Sequence, residues 1–526
     1  MIDASLRHAR NTCAALLMLA CALAGPARAM PADATAPAPA PTGRSSGVWY
    51  EIFVRAWYDT DGDGIGDLNG VTAKLDYLKS LGVDGIWLMP INPSPSYHGY
   101  DVTDYYAVNP QYGSLADFER LAAAAHQRGI KVILDLVINH TSDRHPWFRA
   151  ALDPADPHRA WYTWAAPGAD LHATSAVGSP AWHAIGGQHY LGDFSAGMPD
   201  LDYDTPAVRS EMIRVGRFWL DKGADGFRLD AARHIYLDFA AQEGDRTVVA
   251  KNVRWWSDFR AGLAAARPDA YLVGEVTEHT PARLAPYLGP LDAVFDFPLA
   301  ERLIDSAGHQ RNRGLDALLG QVAAAYRKAG RHDAPFLSNH DQERVMSRLH
   351  GQPPHMRVAA AMLLTLPGEP YVYYGEELGM QGRKPDENLR EPMRWQRAGD
   401  APGATRWKAS SAGQGGEVSV EAEEADPDSL LNRYRTLIHW RAELPLLRDG
   451  DVRTWPLADP RLFAFERFDG TARVLVVHNL SGTPRTLRLA PREGHAYGTI
   501  RLHTGGAATL AGGRLTLPAY ATVVLQ

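Results

Sequence analysis

The sequence predicts an α/β protein built as a (β/α)8 barrel, with a subdomain inserted after the third strand and a C-terminal antiparallel β-sandwich domain. Three observations carry this. From Val48 to about residue 444, eight near-continuous apolar runs alternate with amphipathic stretches, the pattern of a parallel sheet covered by helices on its outer face. The rhythm breaks once, over about 65 residues rich in Trp, His, Gly and Pro between Thr141 and Pro206, too long for a structureless loop in a compact domain. Beyond Glu443 the runs become short and alternating, separated by Gly, Pro and Asp, as in a small β-domain.

Taken in order, residues 1–29 read as an export signal. Arg7 and Arg10 precede the apolar run Cys13–Ala24, and Ala27-Arg28-Ala29 gives a small-x-small cleavage pattern. Residues 30–47 are a Pro/Ala-rich linker. The only cysteines, Cys13 and Cys21, lie inside the signal, so the mature chain has no disulfide. Met18-Leu19-Ala20-Cys21 also resembles a lipoprotein box, and the alternative to a free periplasmic or extracellular protein is one anchored through Cys21. No later apolar run approaches the ~18 residues that span a bilayer.

The barrel, 48–140 and 207–444, has strand candidates at Val48–Val54, Val83–Pro90, Lys131–Ile138, Ala224–Asp230, Ala270–Val276, Leu291–Pro298, Ala334–Ser338 and Pro370–Tyr374. Helical patterns lie between them at Leu68–Leu81, Leu115–Arg128, Ala207–Lys222, Val253–Arg267, Leu315–Lys328 and His355–Leu366, with Leu430–Glu443 closing the set. An open doubly wound sheet loses ground because no Gly-rich dinucleotide turn follows the first strand. Residues 141–206 form the insertion and 445–526 the β-domain. A net charge of −7 disfavours nucleic-acid and anionic-membrane partners, which call for a basic excess.

Barrels of this kind carry their chemistry at the C-terminal ends of the strands. There the sequence reads Asp135-Leu-Val-Ile-Asn139-His140 after strand three and Gly226-Phe-Arg228-Leu-Asp230 after strand four. It reads Gly274-Glu275 after strand five and Ser338-Asn339-His340-Asp341 after strand seven. Singly, each acid fits a strand-end cap. Jointly, Asp230, Glu275 and Asp341 would converge on one cleft, and two carboxylates flanking a glycosidic bond suffice to hydrolyse it. Arg228 lies two residues before Asp230 and shares its strand face, where it would keep Asp230 ionised while burial raises Glu275.

These four segments, in this order, resemble the alpha-amylase family, glycoside hydrolase family 13, and a branch of it intermediate between the oligo-1,6-glucosidase and neopullulanase types. The resemblance implies the barrel, the insertion as a domain B, and the C-terminal β-domain. It also implies Asp230 as nucleophile, Glu275 as general acid/base and Asp341 as transition-state stabiliser. His140 and His340 resemble the family's two sugar-contacting histidines. Tyr100 in His98-Gly99-Tyr100-Asp101 resembles its stacking tyrosine, with Asp101 in support. A catalytically silent relative would lose one of the acids; all are present.

After strand one comes Asp59-Thr-Asp61-Gly-Asp63-Gly-Ile65-Gly-Asp67. Oxygen ligands at alternate positions, with the Ile65 carbonyl at position seven, suit Ca²⁺, and four aspartates in nine residues repel one another without a cation. Position twelve is Gly70 rather than a bidentate glutamate, so the loop is no EF-hand. It is similar to the calcium loop of the oligo-1,6-glucosidase branch, which implies a structural ion. A second calcium, at Asn139 and the His234 carbonyl, lacks an identifiable domain B aspartate.

Met198-Pro-Asp-Leu-Asp202 resembles the segment of the intermediate branch, with Asp202 in place of a usual Asn; Ala231, directly after Asp230, is common in the family's amylases; and Lys384-Pro-Asp-Glu-Asn-Leu-Arg390-Glu-Pro-Met-Arg-Trp395 resembles a segment shared by intermediate-branch amylases and exo-glucosidases. The expectation is therefore an exported, monomeric α-amylase acting on internal α-1,4 bonds of starch or maltodextrin. The alternatives are an exo-acting α-glucosidase, with Arg344 clamping a non-reducing end, or a maltodextrin transglycosylase. Trp147, Trp161, Trp164 and Trp182 are candidate sugar platforms.

Overall fold

The computed structural model describes residues 47–410, 416–492 and 494–526; the expected signal, Cys21 and nearly all of the linker lie outside the described residues. The first strands are β1 (Trp49–Ile52), β2 (Gly85–Leu88) and β3 (Lys131–Leu136). Then comes an isolated hairpin, β4 (Trp182–Ile185) and β5 (Gln188–Leu191), in the inserted stretch. The sheet resumes with β6 (Gly226–Leu229), β7 (Tyr271–Gly274), β8 (Ala293–Val294) and β9 (Tyr371–Tyr373). Its parallel order is β8-β7-β6-β3-β2-β1-β9. The ring closes through residues 334–336, where Ala334 bridges Phe295 and Phe336 bridges Tyr371, both parallel. The seventh expected strand, Ala334–Ser338, is thus reduced to two bridges.

Side-chain alternation along the strands decides where the chemistry sits. Trp49, Trp87, Ile133, Val273, Phe295, Phe336 and Tyr371 fill the interior as one apolar cluster, with Trp49 stacked on Tyr271 at 5.0 Å and on Tyr371 at 5.9 Å. Two residues further along β1 and β3 the same face carries Glu51 and Asp135, and the β3–β6 register sets Asp135 opposite Arg228. The barrel is plugged below by aromatics and charged above.

Two helices depart from expectation. The pattern Leu68–Leu81 is broken at Lys74 into Leu68–Ala73 and Leu75–Leu81, where the Lys74 ammonium lies over the rings of Tyr58 and Trp395 at 4.1 and 4.3 Å. The expected strand Leu291–Pro298 ends early because Phe297–Gly308 is a helix. Asp296 caps it by accepting from the Leu299 N–H at 2.9 Å, with Pro298 in its first turn, a strong helix start.

The C-terminal region is antiparallel and two-layered. One sheet runs β10 (Asp451–Thr454), β11 (Leu462–Phe468), β12 (Arg473–Asn479), β17 (Thr522–Leu525), β14 (Ile500–Thr504). The other runs β13 (Arg485–Arg488), β16 (Arg514–Leu517), β15 (Thr509–Ala511). Leu462, Ala464, Leu475, Val477, Leu515, Leu517, Val523 and Leu525 pack between the sheets. The alternate residues Phe463, Phe465, Val474, Val476 and Val524 join the barrel's helical core. The larger sheet is therefore buried on both faces.

Candidate active site

Arg228 is the hub of the charged layer. It is 1 % exposed and contacts three carboxylates. Its Nη1 donates to Asp135 Oδ1 at 2.8 Å and to Asp230 Oδ1 at 2.5 Å, while Nη2 reaches Glu275 Oε2 at 2.8 Å. Backbone bonds hold the strand ends in place: the Asp230 N–H donates to the Leu136 carbonyl at 3.2 Å and that of Glu275 to Leu229 at 3.0 Å. The glycine of Gly226-Phe-Arg is required, because a Cβ there would lie 1.9 Å from the Tyr271 carbonyl oxygen. Ala231 has φ +44°, a left-handed conformation that costs a non-glycine residue roughly 1–2 kcal/mol. That conformation accompanies an N–H bond to Glu275 Oε2 at 3.0 Å.

Asp341 is held from a different direction. Its Oδ2 lies 3.2 Å from His340 Nε2 and its Oδ1 accepts from Arg390 Nη2 at 2.8 Å, while the carboxyl remains 48 % exposed toward the cleft. His340 Nδ1 pairs with Glu51 at 2.6 Å, and Nε2 also meets the Tyr100 hydroxyl at 2.5 Å. That hydroxyl lies 3.0 Å from Asp135 Oδ2, which also accepts from Trp87 Nε1 at 3.2 Å. Asp101 ties the loop beneath Tyr100 by accepting from the hydroxyls of Ser94 and Ser96.

Four sequence expectations meet the structure here. His340 is fully buried with both nitrogens engaged by protein, and His140 is 2 % exposed with Nε2 on the Tyr100 carbonyl at 2.9 Å. In this arrangement both histidines are engaged by protein groups that line the site. Arg344 is 1 % exposed and donates to the backbone carbonyls of Leu389 at 2.9 Å and Tyr374 at 2.7 Å; it clamps no chain end. Arg390, 49 residues beyond Asp341, is the cation that reaches it. Trp147, Trp161, Trp164 and Trp182 are half-buried: Trp147 lies against Tyr105 at 5.6 Å and Trp161 at 4.8 Å, Arg159 sits over Trp164 at 3.4 Å, and Trp182 leans on Phe239 at 5.8 Å.

The protonation states follow from burial against charge. Burial pushes Asp230 and Glu275 upward, opposed in both by Arg228. It carries Asp135 to about 7 despite Arg228. Burial disfavours charge on Asp341 too, but His340, Arg390 and Arg228 outweigh it and hold that carboxyl below the usual carboxylate range. For His340 burial is overcome by Asp341 and Glu51, which raise it to about 10, so it is an imidazolium. His140, with no such carboxylate contact, is pushed by burial to about 4 and is neutral.

A second cluster lies at the aspartate loop. Carboxylate oxygens of Asp59, Asp61 and Asp67 gather within 4.8 Å of one another. Asp59 accepts from the Gly62 and Gly64 N–H groups at 2.7 and 2.8 Å, and Asp67 from those of Thr60 and Gly70 at 2.7 Å each. Such an all-oxygen, pre-folded set fits a hard cation. Asp63 falls outside that group: its carboxylate is exposed and accepts the Ile65 N–H at 2.7 Å. Position twelve is glycine for a steric reason, since a Cβ on Gly70 would meet the Tyr58 carbonyl at 2.0 Å. Near Asn139, Asp200 lies 3.4 Å from the Asn139 amide and accepts the N–H of Asp193, whose carboxylate pairs with His234 at 3.1 Å.

Three acids around one buried guanidinium at the C-terminal mouth of a (β/α)8 barrel define a class: enzymes that break or transfer glycosidic bonds. Residues 51–450 match the family described as "Alpha amylase, catalytic domain", and residues 462–524 match "Alpha-amylase SusG C-terminal domain". The chain belongs to the alpha-amylase family, glycoside hydrolase family 13. It is 40 % identical over 445 residues to alpha-amylase 3 of Dictyoglomus thermophilum, covering 84 % of this chain and 85 % of that one. It is 35 % identical over 452 residues to a 4-alpha-glucanotransferase of Thermotoga maritima, covering 83 % and 96 %. Among solved structures, an alpha-amylase from H. orenii superposes with a TM-score of 0.84 at 42 % identity, covering 92 % of this chain and 99 % of that one.

Sequence reasoning missed Asp135, Glu51, Trp87 and Arg390 as members of the site. The first three were readable from strand period: Glu51 and Asp135 each stand two residues beyond an inward core side chain, near the strand's C-terminal end. Nothing in the sequence around Arg390 indicates its partner.

Proposed function

We propose that the protein is an exported α-amylase, a retaining glycoside hydrolase that cleaves internal α-1,4 bonds of starch and maltodextrins by double displacement. The observation that carries this reading is Asp230 and Glu275 held on opposite nitrogens of one buried guanidinium, which keeps the two carboxyls close enough to act on one bond. Asp230 attacks the anomeric carbon while Glu275 gives its proton to the departing oxygen. Glu275, now a carboxylate, takes a proton from water as that water displaces Asp230. Asp341, kept ionised by His340 and Arg390, faces the positive charge that develops on the ring. Asp59, Asp61 and Asp67 would hold a Ca²⁺, which would tie the loop after β1 to the first barrel helix and supply structure rather than chemistry.

The buried Arg344 supports endo over exo action, since the cation expected to grip a chain end is committed to backbone carbonyls. Likeness to a 4-alpha-glucanotransferase keeps one second reading, in which a sugar hydroxyl replaces water at Asp230. The test incubates the mature protein with soluble starch and follows iodine colour against reducing ends, with Asp230→Asn as control. Rapid colour loss at few reducing ends, absent in the variant, is expected. Glucose as sole early product would move the assignment to an exo-glucosidase, and colour loss without new reducing ends would indicate transfer.

A further inference from the structure

A groove of about 980 Å³ runs beside helix Phe297–Gly308 and the 342–350 segment on the barrel's flank. Two of its lining residues come from loops that carry the proposed reactive groups: His279 lies four residues beyond Glu275, and Gln342 follows Asp341 directly. Its volume sits at the upper end of the ~300–1,000 Å³ typical of small-molecule sites.

The lining selects a neutral ligand. Arg348 makes two bonds to Glu301, at 2.6 and 2.7 Å. Arg313 and His309 both pair with Asp305, at 3.0 and 2.9 Å, and Arg302 donates to the Arg313 carbonyl. A phosphate or carboxylate would find two of these three guanidiniums already held by carboxylates, with Arg302 bonded to a backbone carbonyl instead. Sugar hydroxyls, each donor and acceptor at once, match such a mixed wall. Gln342 adds a side-chain amide, with donor and acceptor groups, to that wall. Phe297 and Pro298 add apolar surface for the C–H face of a sugar ring.

The geometry points to a distal glucan-binding groove: α-glucan leaving the catalytic cleft past His279 and Gln342 continues into it, so that long chains are used better than short ones. This rests on the glycosidase reading above. The blocking variant is Gly308→Trp, because a Cβ there meets only Leu349 Cδ2 at 3.5 Å, an ordinary contact. The milder second variant is His309→Ala, whose side chain is 61 % exposed.

Two measurements on the full mature chain separate the readings. The first is kcat/KM on amylose against maltotriose. Gly308→Trp is expected to lose roughly tenfold on amylose and less than twofold on maltotriose, and His309→Ala about two- to threefold on amylose alone. The second is retardation by amylose in affinity electrophoresis, with every protein carrying Asp230→Asn, where both groove variants should migrate faster than Asp230→Asn alone. An unchanged amylose-to-maltotriose ratio together with unchanged retardation would overturn the groove. Absence of hydrolysis in the wild type, with retardation still sensitive to Gly308→Trp, would instead overturn the glycosidase reading and leave the groove standing.

Discussion

Replacing Arg228 by lysine tests the centre of the site without removing its charge. The guanidinium contacts Asp135 and Asp230 from one nitrogen and Glu275 from the other, all within 2.5–2.8 Å. A single ammonium on a shorter reach cannot serve both ends. If the cation's distance to Asp230 grows from about 3 to about 6 Å, the Coulomb attraction at an effective dielectric of ~20 falls by about 3 kcal/mol, or ~2 pKa units. The sign follows from the role proposed for Asp230, an anionic nucleophile: activity then rises as pH climbs through its pKa. Weakening the cation raises that pKa further above its ordinary value, where burial already holds it, and moves the acid limb of the pH profile upward by ~2 units. Loss of orientation adds to this, so kcat/KM near pH 6 should fall by roughly 10²–10³. The assay is reducing-end release from maltodextrin between pH 4 and 9, with thermal unfolding as a folding control. Arg228→Met would leave three buried acids without a cation, a loss of ~3–5 kcal/mol that a marginally stable protein does not easily absorb. An acid limb displaced by less than half a unit, with kcat/KM within tenfold of wild type, would refute the reasoning.

Three further outcomes are expected. Glu51→Gln removes one of the two carboxylates that raise His340 to about 10; the stability this pairing supplies is full below the unfolded value near ~6.5 and is lost as pH rises toward 10, so the variant's deficit in thermal unfolding should be largest below pH ~6.5 and shrink as pH rises, and a pH-independent deficit would refute it. Chelation by EDTA should lower the unfolding temperature by several degrees, with recovery in Ca²⁺ but not in Mg²⁺, which demands tighter octahedral geometry; Asp59→Asn should abolish that response, and an EDTA-insensitive wild type would exclude a structural ion. Arg344→Met should cost about 2–4 kcal/mol, seen in urea unfolding, by stripping two buried carbonyls of their donor, and should leave the product profile unchanged; a shifted profile at full stability would restore the chain-end clamp.

What the sequence makes legible is what local pattern enforces. The eight-unit barrel, the long third loop and the helix Leu430–Glu443 follow from periodicity, and the last is matched residue for residue. Asp230, Glu275 and Asp341 stand out because strand ends in such a barrel face a common mouth. Asp135 was in plain view but unassigned, since its meaning depends on the β3–β6 register that sets it opposite Arg228, and register is a pairing between distant segments. Arg344 was misread for the converse reason. It stands three residues from Asp341 in sequence, yet the turn into the helix Val345–Arg348 carries its guanidinium away over Tyr373 and Tyr374, at 4.5 and 4.8 Å. The four tryptophans of the insertion illustrate a third limit. All four are half-buried against neighbouring aromatics, and how each ring divides between packing and solvent is set by tertiary neighbours distant in sequence.

The hydrogen bonds around Arg228 also indicate where the catalytic proton resides. Three buried carboxylates share one cation, so the cluster carries surplus negative charge and burial raises all three; at least one proton is retained as a property of the group. Burial raises Asp135 to about 7, but its hydrogen bonds oppose a proton there. Its Oδ1 accepts from Arg228 and its Oδ2 from the Trp87 N–H and the Tyr100 hydroxyl. Tyr100 donates there because the protonated His340 on its other side has no lone pair to offer. Protonating Asp135 would set a proton against donors on both oxygens. Asp230 shares Nη1 with Asp135 and lies close to that charge. Glu275 differs, because both of its donors, Arg228 Nη2 and the Ala231 N–H, fall on Oε2. Oε1 therefore takes the proton with the least disruption. The left-handed Ala231 is part of this arrangement: its strained backbone supplies the donor that commits Oε2 and leaves Oε1 to act as the acid. Ala231→Val, more crowded at φ +44°, should then weaken the N–H contact and flatten the difference between the two oxygens. The expected result is a lower kcat with an alkaline limb shifted toward higher pH, because the Ala231 N–H stabilises the Glu275 carboxylate and the acid keeps its proton longer when that donor is weakened. An unchanged alkaline limb at undiminished kcat would show that the proton is placed by some other contact.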